Sequence, residues 1–205
     1  MNTMRRILAI GTAGLTCGCA DPAAGGSSTT GNALGARVVR SDGTAGSGDT
    51  VALRSDVADS VIAPFAIALG DAQGNVRFDH VPDGRWTLEA RGERQGRLVR
   101  LRLARDSIGL ELRTGDYATL WGQVRTAGVG ANGTAMLAGT SQTAAIAPDG
   151  SFEFERVSPG DQRTLATPSS KAATGAAVWS DLVIAPGAVE TLSVIAPTKT
   201  RSGEW

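Results

Sequence analysis

The sequence contains one eleven-residue phrase twice. The phrase begins at Gly74 and again at Gly150, 76 positions later, as GNVRFDHVPDG and GSFEFERVSPG. Self-similarity at a fixed spacing indicates a chain built from copies of one structural unit. Each copy has a glycine turn, alternating apolar and polar residues, and a second turn with proline and glycine, which is typical of β-hairpins. The repeat therefore predicts two β units and points to a scaffold, because no residue in the phrase has to carry chemistry.

The residues on either side of each copy also have strand patterns. Trp86, Leu88 and Ala90 fall on one face at strand spacing. The segment from Val99 to Leu103 alternates apolar residues with arginines, which is typical of a strand with one buried and one wet face. The other predicted strands are Ala36–Val39, Thr50–Leu53, Ile108–Leu112, Gly122–Arg125, Thr134–Leu137, Val178–Ile184 and Val189–Ile195. Short strands between regularly spaced turns predict an all-β fold of two tandem small β-sandwich domains.

The two units differ in a loop and in a core position. Between its second strand and the phrase, the first unit has 20 residues, from Arg54 to Gln73, where the second has 12, from Ala138 to Asp149. Loop insertions cost little stability and are places where binding sites arise, although a variable loop without a role is the favoured explanation of the difference. Gln162 stands in the second unit where the first has Trp86. We therefore expect a weaker core in the second unit.

The N-terminus has the layout of a secretory signal. Arg5 and Arg6 precede an apolar run from Ile7 to Leu15, which small residues and cysteine follow. The run is shorter than the roughly 20 residues that a transmembrane helix needs. We expect secretion across the inner membrane.

The two cysteines, Cys17 and Cys19, both lie at this junction. One intervening residue places their backbones awkwardly for a disulfide, and so small a loop would gain little from one. The segment Leu15–Cys19 resembles a bacterial lipoprotein lipobox, in which the cysteine after a small residue is lipidated. The resemblance implies lipidation at Cys19, with Cys17 as the alternative. It also implies anchoring in the cell envelope, which we expect to be at the outer membrane.

These features predict five segments. Residues 1–18 form the lipoprotein signal peptide, 19–32 a flexible tether, 33–115 the first sandwich, 119–197 the second, divergent sandwich and 198–205 a C-terminal tail. Cleavage after residue 18 removes two arginines and leaves about two more acidic than basic residues. The net charge thus argues against a nucleic-acid partner.

A dense arginine group lies at the end of the first unit. Its members are Arg91, Arg94, Arg97, Arg100, Arg102 and Arg105. Such a group could bind nucleic acid or an anionic glycan. Strand alternation and the nearby Glu89, Glu93 and Asp106 favour instead a solvated, partly paired face.

The two units together resemble a known domain family. The order of opening strand, loop, Gly-x-Phe-x-Phe-x-x-Val-x-Pro-Gly and aromatic strand resembles the carboxypeptidase regulatory-like domain, a transthyretin-like β-sandwich. The matching pieces are Ala36–Val39 and Asp71–Leu88, and more loosely Gly122–Arg125 and Asp149–Gly160. The resemblance implies tandem non-catalytic modules and no peptidase activity.

The residues available for catalysis are few. The single histidine, His80, lies in the repeated phrase, where the second copy has Arg156, so we interpret it as a turn residue. His80 with Asp79 and Asp83 is a poor metal set, because zinc sites need three or four ligands. Glu153 and Glu155 fit a solvated strand face, and Asp42 and Asp149 fit turns before glycine. We predict no enzyme activity and no catalytic, metal or cofactor-binding residue.

The sequence thus favours a lipid-anchored structural or interaction module of the cell envelope. Two alternatives stay open, a carbohydrate-binding surface lipoprotein and an envelope sensor or accessory subunit of a membrane complex. A glycan site needs exposed aromatic residues, and Phe78, Trp86, Phe152 and Phe154 are predicted to point inward. The remaining candidates are Trp121, Trp179, Tyr117 and Trp205. We expect a membrane contact through the lipid and a protein or polysaccharide as further partner; the sequence does not indicate an oligomeric state.

Overall fold

The computed structural model of the protein describes residues 31–56, 63–126, 129–130, 132–168 and 177–196. These residues form sixteen strands and no helix, which confirms the all-β fold class. The strands of the first unit are β1 (Asn32–Val39), β2 (Thr50–Ser55), β3 (Ala66–Leu69), β4 (Asn75–Val81), β5 (Gly84–Arg91), β6 (Gln95–Leu103) and β7 (Ser107–Arg113). The remaining strands are β8 (Gly115–Asp116), β9 (Ala118–Thr126), β10 (Val129–Gly130), β11 (Gly133–Leu137), β12 (Thr143–Ile146), β13 (Ser151–Val157), β14 (Gly160–Pro168), β15 (Val178–Ile184) and β16 (Val189–Ala196).

The first unit is a sandwich of two sheets around one core. One sheet has the order β4-β1-β7, with β1 and β7 parallel, and the other has the order β6-β5-β2-β3. Leu34 and Phe78 enter the core from the first sheet, and Leu53, Trp86 and Leu88 enter it from the second. The predicted inward orientation of Phe78 and Trp86 is confirmed, since both are buried.

Seven strands of the second unit repeat this topology, and the two-residue strand β10 is added on β9. One sheet pairs β13 and β16 with β9, again with the parallel pair between first and last strands, and the other has the order β12-β11-β14-β15. Phe152 and Phe154 lie in its core, as predicted. Gly122 faces Phe152 across the strand pair, where a Cβ would lie 1.8 Å from the ring. A residue without a side chain is therefore required there for the phenyl ring to cover the strand.

The two units meet through a single step of strand pairing. Gly160, the first residue of β14, pairs in parallel with Leu98 of β6, and the Leu98 amide donates to the Pro159 carbonyl at 2.8 Å. This step joins the β6-β5-β2-β3 sheet of the first unit to the β12-β11-β14-β15 sheet of the second. Together with β8 they form one nine-stranded sheet, the inner sheet, which ends at β12 and at β3. Gly160 has a φ of 132°, and a Cβ there would lie 2.0 Å from the Leu98 carbonyl oxygen. The glycine thus permits the close approach of the two units.

The repeated phrase forms the same strand with the same bulge in both units. The registers of β4 on β1 and of β13 on β9 each shift by one residue, near His80 and Arg156. These two residues are the non-glycine positions with positive φ among the described residues, at 59° and 53°. A bulge with a left-handed residue re-aims the side chain at that point of a strand. The interpretation of His80 as a turn residue was therefore wrong, because it lies within β4.

Several predicted segments fall outside the described residues. They include the signal peptide at 1–18, most of the tether at 19–32 and the tail at 198–205. The domain boundaries stay predictions. Within the part of the chain that the structure describes, no helix has the length and hydropathy of a membrane span.

Candidate functional site

The residues that sequence reasoning weighed for catalysis do not meet in one place. His80 is exposed on its bulge, while Asp79 pairs with Arg77 at 2.8 Å and Asp83 accepts from Asn32 Nδ2 at 2.7 Å. The two nearest carboxylates thus have other partners. In the described ranges, no group of three or more His, Cys, Asp or Glu side chains is arranged to hold a metal ion.

Asp42 and Asp149 are turn residues, as predicted. Asp42 accepts hydrogen bonds from the Thr44 amide at 2.9 Å and hydroxyl at 2.7 Å, and Asp149 accepts the same pair from Ser151. These bonds favour the charged carboxylates and lower the pKa of both side chains below its usual value. Both carboxylates therefore stabilise local turns.

A buried carboxylate marks the contact between the units. Glu89 projects from β5 on the face opposite Trp86 and Leu88, yet only 1% of it is exposed. Its oxygens contact Arg54 Nη1 at 3.2 Å and accept from the Ser158 hydroxyl at 2.9 Å. Arg54 belongs to the first unit and Ser158 to the second copy of the phrase. The second unit therefore covers a sheet face that the sequence pattern predicted to be wet.

The second contact between the units is built around the ring of Tyr117. Tyr117, between the units, lies under two guanidinium groups, with Arg156 at 4.6 Å and Arg91 at 5.5 Å from the ring centroid. Its hydroxyl donates to the Gly92 carbonyl at 2.9 Å, and Arg156 Nη2 donates to the Glu93 carbonyl at 2.7 Å. Cation–π contacts that are partly shielded from water contribute roughly 0.5–2 kcal/mol each. The bulge that presents Arg156 thus connects the units, whereas the equivalent bulge presents His80 to solvent.

A third contact belongs to Arg100. Its guanidinium donates to the Ala138 carbonyl at 2.8 Å and to the Asp161 carbonyl at 3.0 Å, and it also pairs with Asp56. Burial lowers the pKa of Arg100 below its usual value, because desolvation disfavours the charged form. The prediction of a solvated, partly paired arginine face was therefore wrong for Arg100, whose side chain is 15% exposed. Arg91 is 29% exposed and pairs with Glu89. We call these three contacts the joint; its residues are Arg54, Glu89, Arg91, Arg100, Tyr117, Arg156 and Ser158.

The sequence indicates only part of the joint. Glu89 and Arg91 alternate with Leu88 and Ala90, which places them on the face of β5 opposite Trp86. Alternation predicts which face a side chain occupies but not what covers that face. The parallel step at Gly160 depends on contacts between distant parts of the chain, which one sequence does not reveal. Arg156 in place of His80 was visible as a difference between the copies.

The outer face of the β13-β9-β16 sheet presents an exposed aromatic ring. Trp121 lies at the centre of β9 with 47% of its side chain exposed. Its direct neighbours across the strands are Glu153 of β13 and Thr191 of β16, and one step further along Gln123 lies beside Ser193. We call these five residues the Trp121 face. Since β9 has a hydrogen-bonded strand on each side, the backbone that holds the ring is fixed.

The Trp121 face combines an apolar ring with hydrogen-bonding groups. Glu153 offers carboxylate oxygens, Thr191 and Ser193 offer hydroxyls, and Gln123 offers an amide whose oxygen accepts from Arg125 at 2.9 and 3.1 Å. Exposed tryptophan is unusual on proteins and is enriched where binding energy concentrates. This arrangement can stack a flat apolar surface and hydrogen-bond to its polar rim.

Trp179 and Tyr117 are less available. Trp179 is 41% exposed on β15, but Arg163 lies over its ring at 5.7 Å and is held there by Asp181 at 2.6 Å. Tyr117 is engaged in the joint. Of the sequence candidates for glycan contact, Trp121 is thus the one with an open ring face among the described residues. Trp205, Cys17 and Cys19 lie outside those residues.

No protein-family model and no curated protein matches the sequence. Several solved structures are similar at low identity. A streptococcal ancillary pilin is 12% identical with a TM-score of 0.43; the match covers 83% of this chain and 63% of the pilin. The minor pilin of Streptococcus agalactiae is 10% identical with a TM-score of 0.44 and coverages of 85% and 99%.

A candidate carbohydrate-binding protein of Pseudomonas aeruginosa is 12% identical with a TM-score of 0.31. That match covers 40% of this chain and 88% of the other. At identities of 10–12% and TM-scores below 0.5, these likenesses carry no conclusion about what this chain does. The resemblance to carboxypeptidase regulatory-like domains stays a prediction, since no family model matches.

Proposed function

We propose that the protein is a non-catalytic, lipid-anchored interaction module of the bacterial cell envelope. The lipid at Cys19, or alternatively at Cys17, tethers the chain to the membrane. The joint holds the two sandwiches in a fixed relation, and the Trp121 face is the binding surface. The observation that carries this proposal is a half-exposed tryptophan at the centre of a sheet face whose backbone is fixed on both sides.

The joint supports a role in presentation. These contacts favour one relative placement of the units. Separation would break the hydrogen bond from Ser158 to Glu89 and the bonds that Arg100 and Arg156 donate to carbonyls of the other unit. A pre-ordered pair of units loses less conformational entropy on binding than two units on a free linker. The module would thus display the Trp121 face in a constant direction.

The binding test uses the full chain in its own envelope. The tagged chain is extracted with detergent and its partners are recovered, with Trp121→Ala as the test variant and Trp179→Ala as the matched control. We expect partner recovery to fall with Trp121→Ala and to persist with Trp179→Ala, since Arg163 already covers that ring. Equal recovery from all three chains would refute the Trp121 face as the binding surface.

The anchor is tested separately. Metabolic labelling with a fatty-acid analogue should label the wild-type chain and Cys17→Ser but not Cys19→Ser. Loss of label in Cys17→Ser alone would move the anchor to Cys17. Absence of label from the wild-type chain would refute lipid anchoring and leave the binding test intact.

The chemistry of the Trp121 face favours polysaccharide as the partner, which makes carbohydrate binding the second candidate. The C–H face of a sugar ring stacks on an indole, and its hydroxyls hydrogen-bond to carboxylate, amide and hydroxyl groups such as those of Glu153, Gln123 and Thr191. Depletion assays with insoluble cell-wall and plant polysaccharides test this candidate. Retention that Trp121→Ala removes supports it, and no retention on any polymer contradicts it while leaving a protein partner in place.

A further inference from the structure

One edge of the long inner sheet consists of an apolar strand. β3 pairs with β2 on one side, and in the described part of the chain it is the last strand of the sheet on that side. Ile67 and Leu69 point outward and are 59% and 64% exposed, whereas Ala66 and Ala68 pack against the core. Phe65, just before the strand, is 50% exposed, and its ring lies 5.0 Å from that of Trp86. Three large, exposed apolar side chains thus lie in a row along an open edge.

This edge strand is short, but it has no charge, proline or bulge of its own. Edge strands usually carry charges, proline or a bulge, because a free row of backbone groups is a template for another strand. The edge strands β4, β13 and β16 carry charged residues, among them Arg77, Glu153 and Glu190. β12, at the other end of the same sheet, is uncharged but exposes only Thr143 and Ala145. Between Pro64 and Asp71, a stretch that includes all of β3, the chain carries neither charge nor proline.

The sequence of the edge is nearly symmetric about its centre. It reads Phe65-Ala66-Ile67-Ala68-Leu69. In an antiparallel pair of two such strands centred on Ile67, Ile67 would face Ile67 of the second copy, Phe65 would face Leu69, and alanine would face alanine. The two Ile67 side chains would then meet on the outer face, and the alanines would continue the core face.

We propose that the protein forms a dimer in which β3 pairs antiparallel with β3 of a second copy. The interface is isologous, since a two-fold axis through Ile67 places the same residues on both sides. The inner sheet becomes continuous across the two molecules, and the exposed row is covered by its own equivalent. The symmetry argues for a second copy rather than an unrelated strand, which would not need a palindromic edge.

The first test uses the full chain in the envelope. Ile67→Cys places two thiols opposite each other across the two-fold axis, at a separation that a disulfide can span. Ile195→Cys, on the edge strand β16 and 80% exposed, is the matched control. Under mild oxidation we expect most of the Ile67→Cys chains to migrate at twice the monomer mass and the control to remain monomeric. Equal cross-linking of the two variants, or none in either, overturns the proposal.

The second test measures mass in solution. Detergent-corrected light scattering of the full chain should give twice the monomer protein mass for the wild type and for Ile195→Lys, and the monomer mass for Ile67→Lys. Circular dichroism checks that Ile67→Lys retains its strands. A monomeric wild type overturns the proposal and is the result expected if a strand of another protein pairs with β3 in the cell. A dimer that persists in Ile67→Lys overturns it as well. Neither outcome depends on the Trp121 face, so the dimer and the binding proposal can fail separately.

Discussion

The two units share one topology but place tryptophan differently: Trp86 lies in the core of the first unit, and Trp121 lies on an outer face of the second. On β5 the first unit directs Trp86, Leu88 and Ala90 into its core, and on β14 the second directs Gln162, Thr164 and Ala166 into the equivalent places. Gln162 donates to the Ser158 carbonyl at 2.6 Å, but its Oε1 and the Thr164 hydroxyl are buried without a hydrogen-bond partner. Such atoms lower stability, because they lose water without replacing it. The first unit thus has the better core.

On the outer faces of β1 and β9 the second unit, not the first, has the tryptophan. Trp121 of the second unit occupies the place that Gly35 has on β1 in the first, as the matching registers of Leu120 on Phe154 and Leu34 on Phe78 establish. One copy therefore has its tryptophan in the core and glycine on the face, and the other has glutamine in the core and tryptophan on the face. The difference teaches that one topology accommodates its tryptophan either in the core or on an outer face, and that the unit with the tryptophan outside has buried polar atoms without partners inside.

The largest effect should come from the core tryptophan. Trp86→Ala should lower the free energy of unfolding by about 3–5 kcal/mol, because it removes a large buried ring and leaves a cavity. Gln162→Ala, its counterpart, should cost no more than about 2 kcal/mol, the range of a single buried hydrogen bond. Denaturant unfolding measures both. Equal losses would break the comparison between the cores.

The next largest effect should come from the joint. Glu89→Leu leaves Arg54 buried without its partner and should cost about 3 kcal/mol, a typical loss when one half of a buried ion pair is removed. The double variant Arg54→Leu with Glu89→Leu should recover most of that loss, since no unpaired charge remains. If the double variant is no more stable than Glu89→Leu, the loss in the single variant does not come from leaving Arg54 unpaired.

A smaller effect, of opposite sign, should follow from repairing the second core. Thr164→Val replaces an unpaired buried hydroxyl by a methyl group of similar size and should raise the free energy of unfolding by about 1 kcal/mol. Thr87→Val is the matched control, because the Thr87 hydroxyl donates to Asp56 at 3.4 Å. No gain from Thr164→Val, or the same gain from both, would contradict the account of the second core.

The smallest effect concerns pH and should be alike in the two units. Hydrogen bonds from the Asn75 amide to Asp71 and from the Ser151 amide to Asp149 lower the pKa of both carboxyl groups below the ordinary 3.8. A lowered pKa in the folded state contributes stability above the ordinary value, and that contribution is lost as the pH falls below it. Unfolding at pH 7 and pH 3 should therefore show a loss that Asp71→Asn and Asp149→Asn each reduce. An unchanged pH dependence in both variants would show that these turns do not contribute.

The sequence was sufficient for the architecture because the relevant signals are local. Alternation placed Trp86 and Phe152 inward, and the repeated phrase placed two equivalent strands. The bulge at His80 and Arg156 was missed, since a left-handed non-glycine residue has no pattern of its own. The joint was missed because Glu89 looks like any outward charge until another part of the chain covers it. Trp121 was a candidate from composition, but its isolation at the centre of a face needed the register of three strands.

Hydrogen exchange measured by mass spectrometry on the intact chain tests the unequal units most directly. The peptides covering β5 and β14 are matched, since both strands are central and have a partner on each side. Exchange of buried amides reports the free energy of opening each region. The account predicts that amides of β14 exchange at a lower opening free energy than those of β5. Equal protection of the two strands, or stronger protection of β14, would contradict it.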